Sequence, residues 1–240
     1  MKLNLATPVR WFALGAGVAV AAYVCHTVVT FGRYGHPSGR VRRRDAALDR
    51  LLPECEVAER HCIFVTAPAG ITYAAMTSLD LQSSAIVAAI FKVRELVLGG
   101  HPQEESVHLG LVDQAKAWGW GVLAEDPGRE IVFGAVTRPW VAEPIFRALP
   151  PDEFTQFHEP GFVKIAWTLR VFPLGSTKSL AWTETRVVTT DPISYARFRK
   201  YWALVSPGVV LIRLLALRQV KAVAERRPSA GKAPIFLTPR

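Results

Sequence analysis

Glu184 and Arg186 stand two residues apart in "AWTETRVV", a spacing that puts both side chains on one face of a strand. From there the guanidinium can grip a carboxylate, either that of its strand neighbour or one carried by a ligand, and an idle structural ion pair is the commoner use of such residues. His158 beside Glu159 offers a second combination, a general base next to a carboxylate. Neighbours in an extended chain point to opposite faces, so an exposed loop pair fits these two better. His61, His101 and His108 are scattered, and no serine or cysteine adjoins a histidine in a nucleophile pattern. Cys25, Cys55 and Cys62 show no CxxC or Cys/His metal spacing, and no GxGxxG, Walker or HExxH motif occurs. Neither a cofactor nor a metal is expected, and no catalytic residue is singled out.

The elements that would position these groups follow from hydropathy and turn chemistry. In the 240-residue chain, "WFALGAGVAVAAYVCHTVVTF" from Trp11 to Phe31 has no Asp, Glu, Lys or Arg. About 20 such residues cross a bilayer's hydrocarbon core. A cleaved signal peptide is the competing reading of this stretch. Arg33, Arg40, Arg42, Arg43 and Arg44 follow the segment, whereas only Lys2 and Arg10 precede it. Positive-inside bias then predicts a single-pass anchor with the main domain facing the cytoplasm. An anionic leaflet accounts for much of the net charge of +9, so nucleic acid is not an expected partner. The chain divides into an anchor (1–32), a basic juxtamembrane linker with the short helix "DAALDRLLP" (33–58), a domain (59–227) and a disordered tail (228–240).

Within the domain, "ERHCIFVT" reads as a strand and "ITYAAM…VLGG" as two short helices stopping at Gly99-Gly100. Four extended segments follow, "KAWGWGVLAED", "REIVFGAVTRPW", "GFVKIAWTLRVFP" and "KSLAWTETRVVTT", the first two forming a hairpin across "DPGR". In the third, Val163, Ile165, Trp167, Leu169 and Val171 alternate with Lys164, Thr168 and Arg170. An antiparallel sheet with one face on the core and one in water requires that pattern. Asp191 is placed to cap a helix with Pro192 in its first turn, and Phe198, Tyr201, Trp202 and Val205 share one face of it. Arg197, Arg199 and Lys200 are expected in water on the other side, and Ser206-Pro207-Gly208 is expected to kink or interrupt the helix. The apolar run "VVLIRLLAL" beyond it is short and carries Arg213, so a second span is not expected.

This order of elements is similar to the helix-grip fold of the START-like, or SRPBCC, superfamily, and "REIVFGAVTRPW", "EPGFVKIAWTLRV", "TETRVVTTD" and "FRKYWALVSPGVVLIR" resemble segments of an actinobacterial-type branch of it. The resemblance covers roughly Glu59 to Arg227 and implies an α+β domain: a curved antiparallel sheet, two short helices, and a long C-terminal helix lying over a mostly apolar cavity. The chain departs from the simplest members in its N-terminal anchor and in showing fewer strands than seven, with the Val141–His158 segment the place for a further short one. Known members bind lipids, sterols, hormones or polyketides, and some are enzymes. The resemblance implies the cavity and not its occupant; taken with the anchor, the expected function is membrane-anchored binding of a hydrophobic or amphipathic small molecule, lipids included, without catalysis. A cyclase- or hydrolase-like enzyme and an anchored interaction module with a filled core are the alternatives. The candidate cavity residues are Tyr73, Trp118, Trp120, Phe133, Trp140, Trp167, Trp182, Tyr201 and Trp202, with Glu184 and Arg186 as the polar pair.

Overall fold

The computed structural model describes residues 6–36, 45–80 and 109–226. The basic run at 40–44, the second short helix expected before Gly99-Gly100, His101, His108 and the tail from 228 lie outside them. The elements run α1 (Ala6–Arg33), α2 (Ala46–Leu51), β1 (Val57–Val65), α3 (Ala69–Thr77), α4 (Leu111–Ala117), β2 (Gly121–Asp126), β3 (Glu130–Thr137), α5 (Pro151–Gln156), β4 (Val163–Pro173), β5 (Ser179–Thr189) and α6 (Pro192–Arg226).

The strands form one antiparallel sheet in the order β1-β5-β4-β3-β2. Strands β2 to β5 follow one another as neighbours, and β1 crosses to pair with the last of them along its whole length. The β2–β3 hairpin turns within Asp-Pro-Gly-Arg, at Gly128 with φ +78°, a backbone region that glycine enters without penalty. Two local expectations are corrected. Leu111–Ala117 is helical where the pattern read a polar connection followed by a strand from Lys116; the strand begins only at Gly121. In the Val141–His158 segment the described structure is an isolated bridge, Val136 to Arg147, followed by α5.

The expected water-facing side of the sheet is also covered. On it, α2 and α5 bring Leu48, Leu52 and Phe154 against Leu123, Val132, Val136 and Ala166. The polar residues of β4 on this face survive burial because each finds a partner. Lys164 Nζ donates to the Thr155 carbonyl at 3.0 Å, and the Thr168 hydroxyl donates to Glu130 at 3.1 Å. Arg170 stands between Glu130 (3.5 Å) and Asp45 (3.8 Å). The stretch expected as a linker helix therefore forms part of the packed body: Asp45 caps it by accepting from the Ala47 and Leu48 N–H groups, and Leu48 is fully buried.

Opposite, α6 and α3 pack on the other face. Asp191 caps α6 as expected, accepting from the Ile193 and Ser194 N–H groups at 2.8 and 2.9 Å. The expected interruption at Pro207 does not occur, and α6 is continuous for 35 residues. A proline inside a helix deletes one rung of the hydrogen-bond ladder and crowds the turn before it. Here the Tyr23 hydroxyl of α1 donates to the Leu204 carbonyl at 2.6 Å, within that turn. Among the described residues α6 is also the one helix long and apolar enough to cross a membrane by length and composition, yet Phe198, Trp202, Leu217, Val220 and Ala224 are buried along it.

The N-terminal segment is a single helix as expected, but its last turns are docked on the body and do not stand apart. His26 Nε2 lies 3.3 Å from Ser206 Oγ. Arg199, expected in water, donates through Nε to the Phe31 carbonyl at 3.0 Å and lies 3.8 Å from that ring's centroid. Just beyond α1, Tyr34 is buried edge-on to Tyr195 (4.8 Å between ring centres) and 6.0 Å from Phe198.

Two outcomes follow from this packing. Burial first, and then the hydrogen bond and charge of neighbouring Asp45, push the Glu130 carboxyl up to about 7 against the pull of Arg170 and Thr168. A carboxyl raised on folding contributes stability while protonated and loses it as pH climbs through its folded value. Glu130→Gln is therefore expected to melt above the parent at about pH 8.5 and level with it at about pH 5, as a thermal scan across pH would show. Tyr34→Ala should cost about 3 kcal/mol in a denaturant titration. Tyr34→Phe should cost nothing, because the buried hydroxyl has no hydrogen-bond partner among the described residues.

Candidate functional site

Alternation along β5 decides what faces what. Ala181, Thr183, Thr185 and Val187 point to α6, whereas Trp182, Glu184, Arg186 and Val188 point to the α2 side. The Glu184–Arg186 pair is thereby spent on structure. Glu184 has no exposed surface and meets Arg60 Nε and Arg186 Nε, each at 2.8 Å. Arg186 also donates to the Leu52 carbonyl (2.9 Å) and to Asp49 (2.6 Å), tying α2 to the sheet. Burial works against the Arg186 charge, but Glu184 and Asp49 outweigh it and hold the guanidinium above its ordinary pKa. As a ligand-facing pair these two are corrected: they lie across the sheet from the space described next.

Between the sheet and α6 lies a cavity of about 890 Å³. Trp118, Trp120, Trp167, Tyr201 and Trp202 of the expected aromatic set line it. The other four do not. Phe133 lies under Trp167, stacked at 4.6 Å, and Tyr73 packs against the core around α3. Trp140 packs with the cluster around Phe198, and Trp182 meets Phe172 on the opposite face at 6.0 Å. His158 and Glu159 are also away from the cavity, with Glu159 paired to Arg147 at 3.3 Å.

The wall at the β2 side is built by a turn and a loop. Gly119 ends the α4 region with φ +88°, and a Cβ there would lie 2.3 Å from the Phe146 carbonyl oxygen. That close approach lets Trp120 stack on the Phe146 ring at 4.9 Å and meet Trp167 edge-on at 5.8 Å. Ile145 borders the cavity while 82% exposed, which marks this loop as the rim. The α6 wall presents Phe198, Tyr201, Trp202 and Val205, the face read from their spacing, and continues through Val209, Ile212, Ala216, Leu217 and Val220.

Besides Glu143 on the exposed rim loop and the Tyr201 side chain, a polar cluster interrupts this apolar lining deeper in. Arg213 Nη1 donates to Thr183 Oγ1 at 2.5 Å and Nη2 donates to Thr185 Oγ1. Arg213 lies deep within the protein, yet part of its surface remains open because it borders the cavity. Burial pushes the guanidinium down to about 10 and Glu59 resists that shift, so it remains a cation at neutral pH. Glu59 itself is raised by burial, and the approach of Arg213 and His26 opposes the shift. His61, facing the same side of β1, is lowered by burial and then by Arg213. Sequence reasoning passed over Thr183, Thr185 and Arg213, although a lone charge at i+4 from Val209 and i−3 from Ala216 on an apolar stripe was a visible signal.

No family model matches the chain, and no curated protein matches it. Among solved structures, a hypothetical protein from Helicobacter pylori is similar at 8% identity and TM-score 0.36, over 78% of this chain and 98% of that one. An aromatase/cyclase, ZhuI from Streptomyces sp. R1128, is similar at 15% identity and TM-score 0.29, over 72% and 96%. Norcoclaurine synthase from Thalictrum flavum is similar at 12% identity and TM-score 0.29, over 79% and 99%. Likeness at this level carries no argument about what the cavity holds.

Gly119→Ala should lower stability by about 2 kcal/mol, since it forces both a strained backbone and a clash with carbonyl 146. It should also weaken the aromatic near-ultraviolet circular dichroism that arises from the Trp120–Phe146 stack.

Proposed function

We propose that the domain binds an apolar or amphipathic small molecule, lipids included, between the sheet and α6, and that α1 fastens the domain to a membrane. The observation that carries the first part is the cavity itself: about 890 Å³, walled by indoles and aliphatic side chains. Small-molecule sites run from about 300 to 1,000 Å³ and are mostly apolar with a few placed polar groups. The same volume argues against a filled core, which tolerates few voids larger than a water. The sequence resemblance to START-like, or SRPBCC, proteins supports the reading, because such a cavity is what it implies.

For the second part, α1 is 28 residues long. At 1.5 Å per residue the turns before Tyr23 run for about 25 Å, most of a hydrocarbon core of about 30 Å. Val18, Val20, Val24 and Val28 are exposed on it, and Leu204, Leu211 and Leu214 are exposed on α6, against which its end is docked. In this reading the domain sits close on the bilayer, and the arginines after α1 place it on the cytoplasmic side.

Native mass spectrometry of the full-length protein released from detergent should reveal a bound apolar molecule. Ala216→Trp, which fills the cavity from the α6 wall, should abolish that adduct without lowering the melting temperature. An adduct of the same mass retained by Ala216→Trp would place the ligand elsewhere.

A further inference from the structure

The reading of the cavity as a ligand site leaves one charge unexplained. Arg213 is the one cationic side chain among the described residues that line it. Its two terminal nitrogens rest on threonine hydroxyls, which are neutral, and its Nε–H is buried without a hydrogen-bond partner among the described residues. No carboxylate among the described residues forms an ion pair with it, although Glu59 lies near enough to act through space. A buried cation is costly unless a counter-charge and hydrogen-bond acceptors meet it. The threonines supply acceptors for two of its N–H groups but no paired counter-charge meets it among the described residues, so the protein bears a cost that a bound anion would relieve.

Resting on the cavity reading above, we propose that the ligand carries a carboxylate and that Arg213, Thr183 and Thr185 together bind it. The chemistry of the three fits that group. A guanidinium offers more N–H donors than the two placed on the threonines, in a planar fork that matches a carboxylate. Each threonine oxygen accepts from Arg213, which leaves its own O–H free to donate to a ligand oxygen. A dianionic phosphate fits less well, because the cluster holds one cation with Glu59 close behind it. The cluster is on the β5 side, away from the rim at Ile145, so the acid binds against the inner wall while the apolar remainder fills the space under Trp120, Trp167 and Trp202.

The test compares 9,10-dibromostearic acid with the matching alcohol as quenchers of cavity tryptophan fluorescence. The full-length chain is held in nanodiscs and carries Trp11→Phe, so that the signal comes from the domain. The acid should quench at about tenfold lower concentration than the alcohol, the value of a charge-assisted contact. Arg213→Met should reduce that preference toward unity with no loss in melting temperature, because it removes an unpaired buried charge. If Arg213→Met does not fold, Arg213→Gln, which can still donate to a threonine, should show the same loss of preference. Equal quenching by acid and alcohol in the parent, or an acid preference that survives these substitutions, overturns the carboxylate and leaves the cavity reading standing. Quenching by neither beyond the level seen with Ala216→Trp overturns both.

Discussion

Strand β5 lies between β1 and β4 and is buried on both sides, so its residues must satisfy two different environments in strict alternation. On one side Glu184 has no exposed surface and would be prohibitively placed without Arg60 and Arg186. Those two arginines come from β1 and β5, and Arg186 reaches onward to Asp49 and the end of α2. A slip of one residue would turn the charges into the cavity and the threonines and alanine onto α2. The ion network therefore fixes register, and register fixes which side chains α6 meets.

That dependence also marks the limit of what could be read from residue order. The five strands, the turn at Gly128, the Asp191 cap and the inward face of Phe198, Tyr201, Trp202 and Val205 were legible, because each rests on a local period or a backbone requirement. The side to which Glu184 and Arg186 turn was not. When both faces are buried, alternation shows that residues separate into two sets and is silent about which set meets which layer. Lys164 and Arg170 looked like a solvated face for the same reason, and their partners Thr155, Asp45 and Glu130 come from distant segments. Leu111–Ala117 was missed because seven residues give too short a window for a helical period to stand out. Arg213 was taken only as an argument against a membrane span, since its neighbours along the sequence do not reveal the threonines it meets.

The two faces of the sheet consequently serve different ends. The α2 face is held by charges that find mutual partners and by Leu48, Leu52 and Phe154 packed without polar interruption. The α6 face is the reverse: mostly aromatic and aliphatic walls around an open space, with two threonine hydroxyls and a guanidinium clustered at β5.

Pro207 gives this arrangement a further property. Missing one donor, α6 has its weakest rung in the turn between Ala203 and Pro207, between the stretch that carries Trp202 and the stretch that carries Arg213. The end of α1 lies along this place, with Tyr23 on the Leu204 carbonyl and His26 beside Ser206. It acts as a splint across a potential hinge. The contacts of α1 thus meet the cavity roof at the turn where the hydrogen-bond ladder of α6 is one rung short, which makes the N-terminal helix part of what holds that roof in shape.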